Sequence, residues 1–89
     1  MDKGLHCYVT GRVQGVCFRM STQSQANSYG LTGWARNLQN GQVEVMAFGE
    51  ERQLKIFRQW LNSGPSMAQV TDVEAEEVEY QLLEEFSIC

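Results

Sequence analysis

Residues 11–19 read Gly11-Arg12-Val13-Gln14-Gly15-Val16-Cys17-Phe18-Arg19, and the patterns on either side of this stretch decide the fold. Before it, Leu5, Cys7 and Val9 alternate with polar neighbours, the period of a half-buried strand running from Leu5 to Val13. After it, Phe18, Thr22, Ala26 and Tyr29 fall near one helical stripe, and Gly30 stands where a helix C′ residue belongs. The stretch is thus a strand-to-helix turn, with Gly11 and Gly15 relaxing the backbone on both sides. Such a turn aims consecutive N–H groups at one point, with the positive end of the helix dipole behind them. Gln14, Gly15, Val16, Cys17 and Phe18 are then a candidate anion cradle. Arg19 adds a planar, permanently charged fork suited to phosphate oxygens. No Gly-Lys-Ser/Thr follows, so this is not a Walker A loop, and the glycine spacing is not that of a dinucleotide fingerprint. On these residues alone, an ordinary connection with two turn glycines serves equally well.

Working outward, Leu31 to Asn37 reads as a second strand with Trp34 as its large apolar anchor. Asn40-Gly41 is a strong hairpin signal. Val43, Val45 and Ala47 alternate in a third strand that Gly49 ends. From Glu50 to Asn62, Leu54, Phe57 and Leu61 fall on one helical face, which Ile56 and Trp60 widen. Val70 to Ala75 reads as a fourth strand, the Glu-rich stretch after it as a solvated edge or loop, and Phe86 to Cys89 as a short terminal strand. Right-handed strand-helix-strand crossovers then put both helices on one face of an antiparallel sheet. The expected fold is an α/β (α+β) sandwich, ferredoxin-like βαββαβ, with the other sheet face largely open. Trp34, Phe57, Trp60 and Leu61 are the expected bulk of the core.

A chain of 89 residues is expected to form a single domain, residues 1–89. Its formal net charge of −4 argues against a sequence-independent nucleic-acid binder, which needs a basic face. It leaves room for a small anionic ligand, because the potential inside one pocket can oppose the global charge. Arg12, Arg19 and Arg36 all fall near the glycine motifs, whereas Glu74, Glu76, Glu77, Glu79, Glu84 and Glu85 lie far along the chain. There is no apolar run of membrane-spanning length and no signal peptide, so a soluble cytoplasmic protein is expected. Cys7, Cys17 and Cys89 have unrelated spacings, and no Cys-x-x-Cys pair supports a zinc or redox site. The lone His6 lies in a strand pattern and reads as a surface or packing residue.

A second motif, Gly33-Trp34-Ala35-Arg36-Asn37, precedes Asn40-Gly41, Val43 and Gly49. Structurally it is a hairpin. Asn37 ends the strand with no turn role that Asn40 does not already fill, so its amide is free to orient a ligand or a water. Taken together, the two motifs closely resemble the acylphosphatase family, from about Leu5 to Ile88. The resemblance implies the ferredoxin-like fold and hydrolysis of the carboxyl–phosphate bond of acyl phosphates, without metal or cofactor. It also implies that the phosphoryl group is bound by Arg19 with the Gln14–Phe18 loop, and that the attacking water is positioned by Asn37. Relatives often carry a basic residue where this chain has Cys89, which puts any charge contact there in doubt.

The chemistry agrees. An acyl phosphate expels a carboxylate whose conjugate acid has a pKa of about 4, so no general acid is required. Neither motif contains Asp, Glu or His. Catalysis is then positioning and charge stabilisation of a loose phosphoryl transition state. The substrate is a small-molecule acyl phosphate, with inorganic phosphate and sulfate as competing anions, and the chain is expected to act as a monomer. A phosphatase with Cys17 as nucleophile is an alternative, but Cys17 is only two residues from Arg19, too little chain to wrap a phosphate between them. RNA recognition through the open sheet face lacks the aromatic and basic pattern it needs. A catalytically silent anion-binding module of the same fold is the other alternative.

Overall fold

A computed structural model describes residues 1–89. The elements are β1 (Asp2–Arg12), α1 (Phe18–Ser28), β2 (Thr32–Asn37), β3 (Val43–Glu50), α2 (Glu51–Ser63), β4 (Gln69–Val78) and β5 (Phe86–Ile88). They form one sheet of order β4-β1-β3-β2-β5. The expected βαββαβ order holds. The sheet is mixed rather than wholly antiparallel, because β5 pairs parallel to β2, with Ile88 beside Ala35. The end of β5 therefore lies at the same end of the sheet as Asn37.

Alternation along the strands sorts the two faces. Leu5, Cys7 and Val9 of β1, Ala35 of β2, and Val43, Val45 and Ala47 of β3 are buried in one cluster with Phe18 and Ala26 of α1 and Leu54, Phe57 and Leu61 of α2. Thr22 completes the buried stripe of α1, its hydroxyl donating to the Phe18 carbonyl at 2.8 Å. α1 covers β2 and β5, and α2 covers β1, β3 and β4. That division puts the start of α1 beside the ends of β2 and β5.

Three expectations about packing need correction. Trp34 is not part of the core. Ala35 is fully buried on the helix side, so Trp34, one residue away, faces the other side. There the Arg36 guanidinium lies over its ring, 5.2 Å from the centroid. Ile56 is 42% exposed and does not widen the apolar face of α2, and Trp60 sits only at the margin of the core. The face away from the helices is also less open than expected. Phe48 is buried there with Tyr80 edge-on to its ring, and so is Glu44. The Glu44 carboxylate accepts Arg36 Nε at 2.6 Å and pairs with His6 Nε2 at 2.6 Å. Burial pushes this carboxyl up, and the hydrogen bonds from His6 and Arg36 more than offset it, leaving it below the usual carboxylate range.

Candidate active site

The turn between β1 and α1 begins at a β-bulge. The register of β1 against β4 shifts between Thr10 and Gly11. Gly11 has φ +132, and a Cβ there would meet the Gln69 carbonyl oxygen at 2.1 Å, so only glycine fits. The chain then passes through left-handed conformations at Gly15 (φ +74) and at Cys17 (φ 59, ψ 25). Cys17 is the only non-glycine residue of the chain at positive φ, at a cost on the order of 1–2 kcal/mol. It occupies the N-cap position of α1 without supplying a side-chain cap, and the first turn of α1 carries no acidic residue. The N–H groups of Gln14, Gly15, Val16 and Cys17 donate to no protein acceptor. The strained turn thus carries a run of unpaired main-chain donors just before a helix N-terminus.

Arg19 projects from the first turn of α1. Its Nη1 donates to the main-chain oxygen of Cys89 at 2.6 Å, the one hydrogen bond its guanidinium makes within the chain. One helical turn on, Gln23 Nε2 donates to the Phe86 carbonyl at 2.8 Å, so Arg19 and Gln23 together fasten β5 along α1. Asn37 is the last residue of β2, paired with Val43, and it is exposed. Asn37 and Arg19 line the same cleft, of about 310 Å³, with Val13, Gly15, Cys17, Phe18, Met20 and Ile88. No carboxylate and no imidazole lines it.

Of the residues singled out in the sequence, the structure brings Gly15, Cys17, Phe18, Arg19 and Asn37 into this cleft. Phe18 reaches it only at the margin, because its ring is 1% exposed and lies 6.0 Å from that of Trp60. The side chains of Gln14 and Val16 do not line it. Val16 packs against the core. Gln14 Nε2 donates to the carbonyls of Leu38 at 2.8 Å and Gln42 at 2.9 Å, tying the turn to the β2–β3 hairpin just beyond Asn37. Gln42 in turn donates from Nε2 to Thr10 Oγ1 at 2.9 Å. Two amides thus lock the hairpin to the end of β1, and Met20 and Ile88 form an apolar rim. Gln42, Met20 and Ile88 did not stand out as site residues in the sequence, and Gln14 stood out only for its place in the turn, because these contacts depend on distant elements.

A cleft lined by Gly15 and Cys17 of the turn, one guanidinium and one amide thus lies at the edge of a ferredoxin-like sandwich. No helix is long and apolar enough to cross a membrane. The chain belongs to the acylphosphatase family, whose pattern it matches over residues 5–88. It is 53% identical over 77 residues to an acylphosphatase of Pseudomonas paraeruginosa, covering 86% of this chain and 85% of that one. The structure of an acylphosphatase from Coxiella burnetii superposes with a TM-score of 0.95 at 39% identity, covering 99% of this chain and 93% of the other. The crystal structure of acylphosphatase from Bacillus subtilis gives 0.89 at 37% identity, over 100% and 99% of the two chains. This chain is accordingly an enzyme that hydrolyses acyl phosphates, with the mixed-sheet ferredoxin-like fold of those structures.

Proposed function

We propose that the acyl phosphate binds with its phosphoryl oxygens on the N–H groups of Gln14 to Phe18 and on the Arg19 guanidinium, and that the Asn37 amide holds the attacking water. The observation that carries this reading is that Arg19, Asn37 and the turn line one cleft although they come from different elements. The water oxygen forms a bond to phosphorus as the bond from phosphorus to the acyl oxygen breaks. The electron pair leaves with the carboxylate. The water proton passes to a phosphoryl oxygen, because an amide is not a base and no carboxylate or imidazole lines the cleft. Donors fixed before the reaction stabilise the charge spread over the equatorial oxygens.

On this reading the reaction needs no metal, and inorganic phosphate and sulfate compete with substrate for the turn. The chain acts as a cytoplasmic monomer. The test is hydrolysis of an aryl acyl phosphate beside an alkyl phosphomonoester, with and without chelator. Rapid, chelator-insensitive turnover of the acyl phosphate alone is expected. Comparable rates on both substrates, or loss of activity with chelator, would overturn the reading.

A further inference from the structure

Asn37 is the last residue of β2 and is exposed, so its amide stands where the strand end puts it. Strand ends open locally at low free energy unless something holds them. Holding a water in line with a breaking bond tolerates little such motion, since a misplacement of about 1 Å can cost on the order of 10²-fold in rate. Gln14 holds the hairpin beyond Asn37 from the side of the turn. The opposite face of the sheet has a tie of its own, one residue before Asn37.

Val43 and Val45 are buried on the helix side, so Glu44 between them faces the other way. The register sets Arg36 opposite Glu44, next to the Asn37–Val43 pair, and sets Tyr8 of β1 opposite Glu44 on its other flank. Arg36 Nε donates to one carboxylate oxygen at 2.6 Å, and His6 Nε2 lies 2.6 Å from the other. Glu44 is 5% exposed, and the Arg36 guanidinium is fixed in turn over the Trp34 ring. One buried carboxylate, held through both oxygens, thus joins β1, which leads into the turn, to β2, which ends in Asn37. Charge-assisted bonds of this kind are short and directional. Glu76 stands on the same face, 3.7 Å from His6 Nδ1, but its side chain is 73% exposed and such a pair contributes little.

We infer that Glu44 is a positioning residue for the hydrolytic reaction. Through Arg36 and His6 it fixes the end of β2, and with it the Asn37 amide, relative to the turn that leaves β1. Well-packed apolar side chains often stabilise a fold as well as a buried ion pair does, so what this pair supplies is a defined position. The inference rests on the role proposed above for Asn37.

The experiment measures kcat, KM and the phosphate inhibition constant on benzoyl phosphate, in chains whose thermal melts confirm the fold. Glu44→Gln, Arg36→Gln and Glu76→Gln are each made in the parent and in Asn37→Ala. A glutamine at 44 keeps the shape but cannot accept from both donors. The Arg36 side chain is 52% exposed, so Arg36→Gln carries the test if Glu44→Gln does not fold. Glu44→Gln and Arg36→Gln should each lower kcat roughly tenfold, part of what a full misplacement would cost. KM and phosphate affinity should stay within about twofold, the signature of an effect confined to the transition state. In Asn37→Ala the same changes should lower kcat no further, because their effect passes through the missing amide. Glu76→Gln should leave every constant unchanged. The inference is overturned if Arg36→Gln keeps the parent kcat, if the loss recurs in full in Asn37→Ala, or if Glu76→Gln matches it. Asn37→Ala with the kcat of the parent would instead overturn the proposed role of Asn37, and the inference with it.

Discussion

The side-chain amide of Gln14 donates to the main-chain oxygen of Leu38, the residue after Asn37, at 2.8 Å. The same nitrogen reaches the Gln42 carbonyl at 2.9 Å. One amide therefore ties the turn proposed to receive the phosphoryl group to the strand end that carries Asn37. Gln14→Ala removes one of two donors from each carbonyl, since the Gly41 N–H still donates to Leu38 at 3.2 Å and the Leu38 N–H to Gln42 at 2.8 Å, at a cost of about 0.5–1.5 kcal/mol. Urea unfolding should show that loss, and kcat should fall in the variant under conditions where it is folded. Gln14→Glu should fare worse, since it sets a carboxylate against two carbonyl oxygens. Unchanged stability and kcat in Gln14→Ala would remove the amide from this role.

The thiols separate by burial. Cys7 is fully buried, and desolvation pushes its pKa up to about 12. Cys17 and Cys89 are exposed. A thiol reagent at mild pH should modify Cys17 and Cys89 in the folded chain and Cys7 only after denaturation. Cys17→Ser should keep most of its activity, because the mechanism asks nothing of the thiol. Loss of all turnover in a folded Cys17→Ser chain would revive Cys17 as a nucleophile.

Acid should weaken the fold through Glu44. Its carboxyl titrates below its usual range in the folded chain, so the charged form favours folding at pH above the unfolded value, about 4.3 for Glu. That contribution disappears as pH falls through the lower folded value. Thermal melts of the parent chain and Glu44→Gln should therefore differ most near neutral pH and converge in acid. Parallel melting curves across that range would mean that the contacts with Arg36 and His6 contribute nothing to stability.

Inorganic phosphate should bind where substrate does. In an NMR titration the amides of Gln14 to Phe18 should shift first. Shifts centred on His6, Tyr8 and Glu74, across the sheet, would place the anion site elsewhere.

The order of strands and helices was legible because the apolar periods are clean, and Asn40-Gly41 marked its hairpin, with Gly41 at φ +93. The turn from Gly11 to Arg19 was legible for the same reason. Residue size misled at Trp34, where alternation had to outrank bulk, since fully buried Ala35 takes the core side. The burial of Glu44 does not show in the sequence because it depends on His6 and Arg36, brought to it from two other strands. The parallel seat of β5 depends on Arg19 and Gln23 binding its main chain, and no local propensity announces that. The role of Gln14 is invisible for the same reason, since its acceptors lie on a distant hairpin.

Arg19 should contact the phosphoryl oxygens before and during transfer. Arg19→Ala should therefore raise KM and lower kcat, the latter on the order of 10³-fold. Phosphate inhibition should weaken with it. A folded Arg19→Ala chain that binds phosphate as tightly as the parent would separate the arginine from the phosphoryl group.

Asn37 is proposed to serve the water and not the phosphate. The direct measurement is kcat together with the phosphate inhibition constant of Asn37→Ala, in a chain whose thermal melt confirms the fold. An interaction made only in the transition state lowers kcat on the order of 10²-fold or more and leaves phosphate affinity within about twofold of the parent. A folded Asn37→Ala chain with the kcat of the parent, or one that has lost its phosphate affinity, would contradict that role.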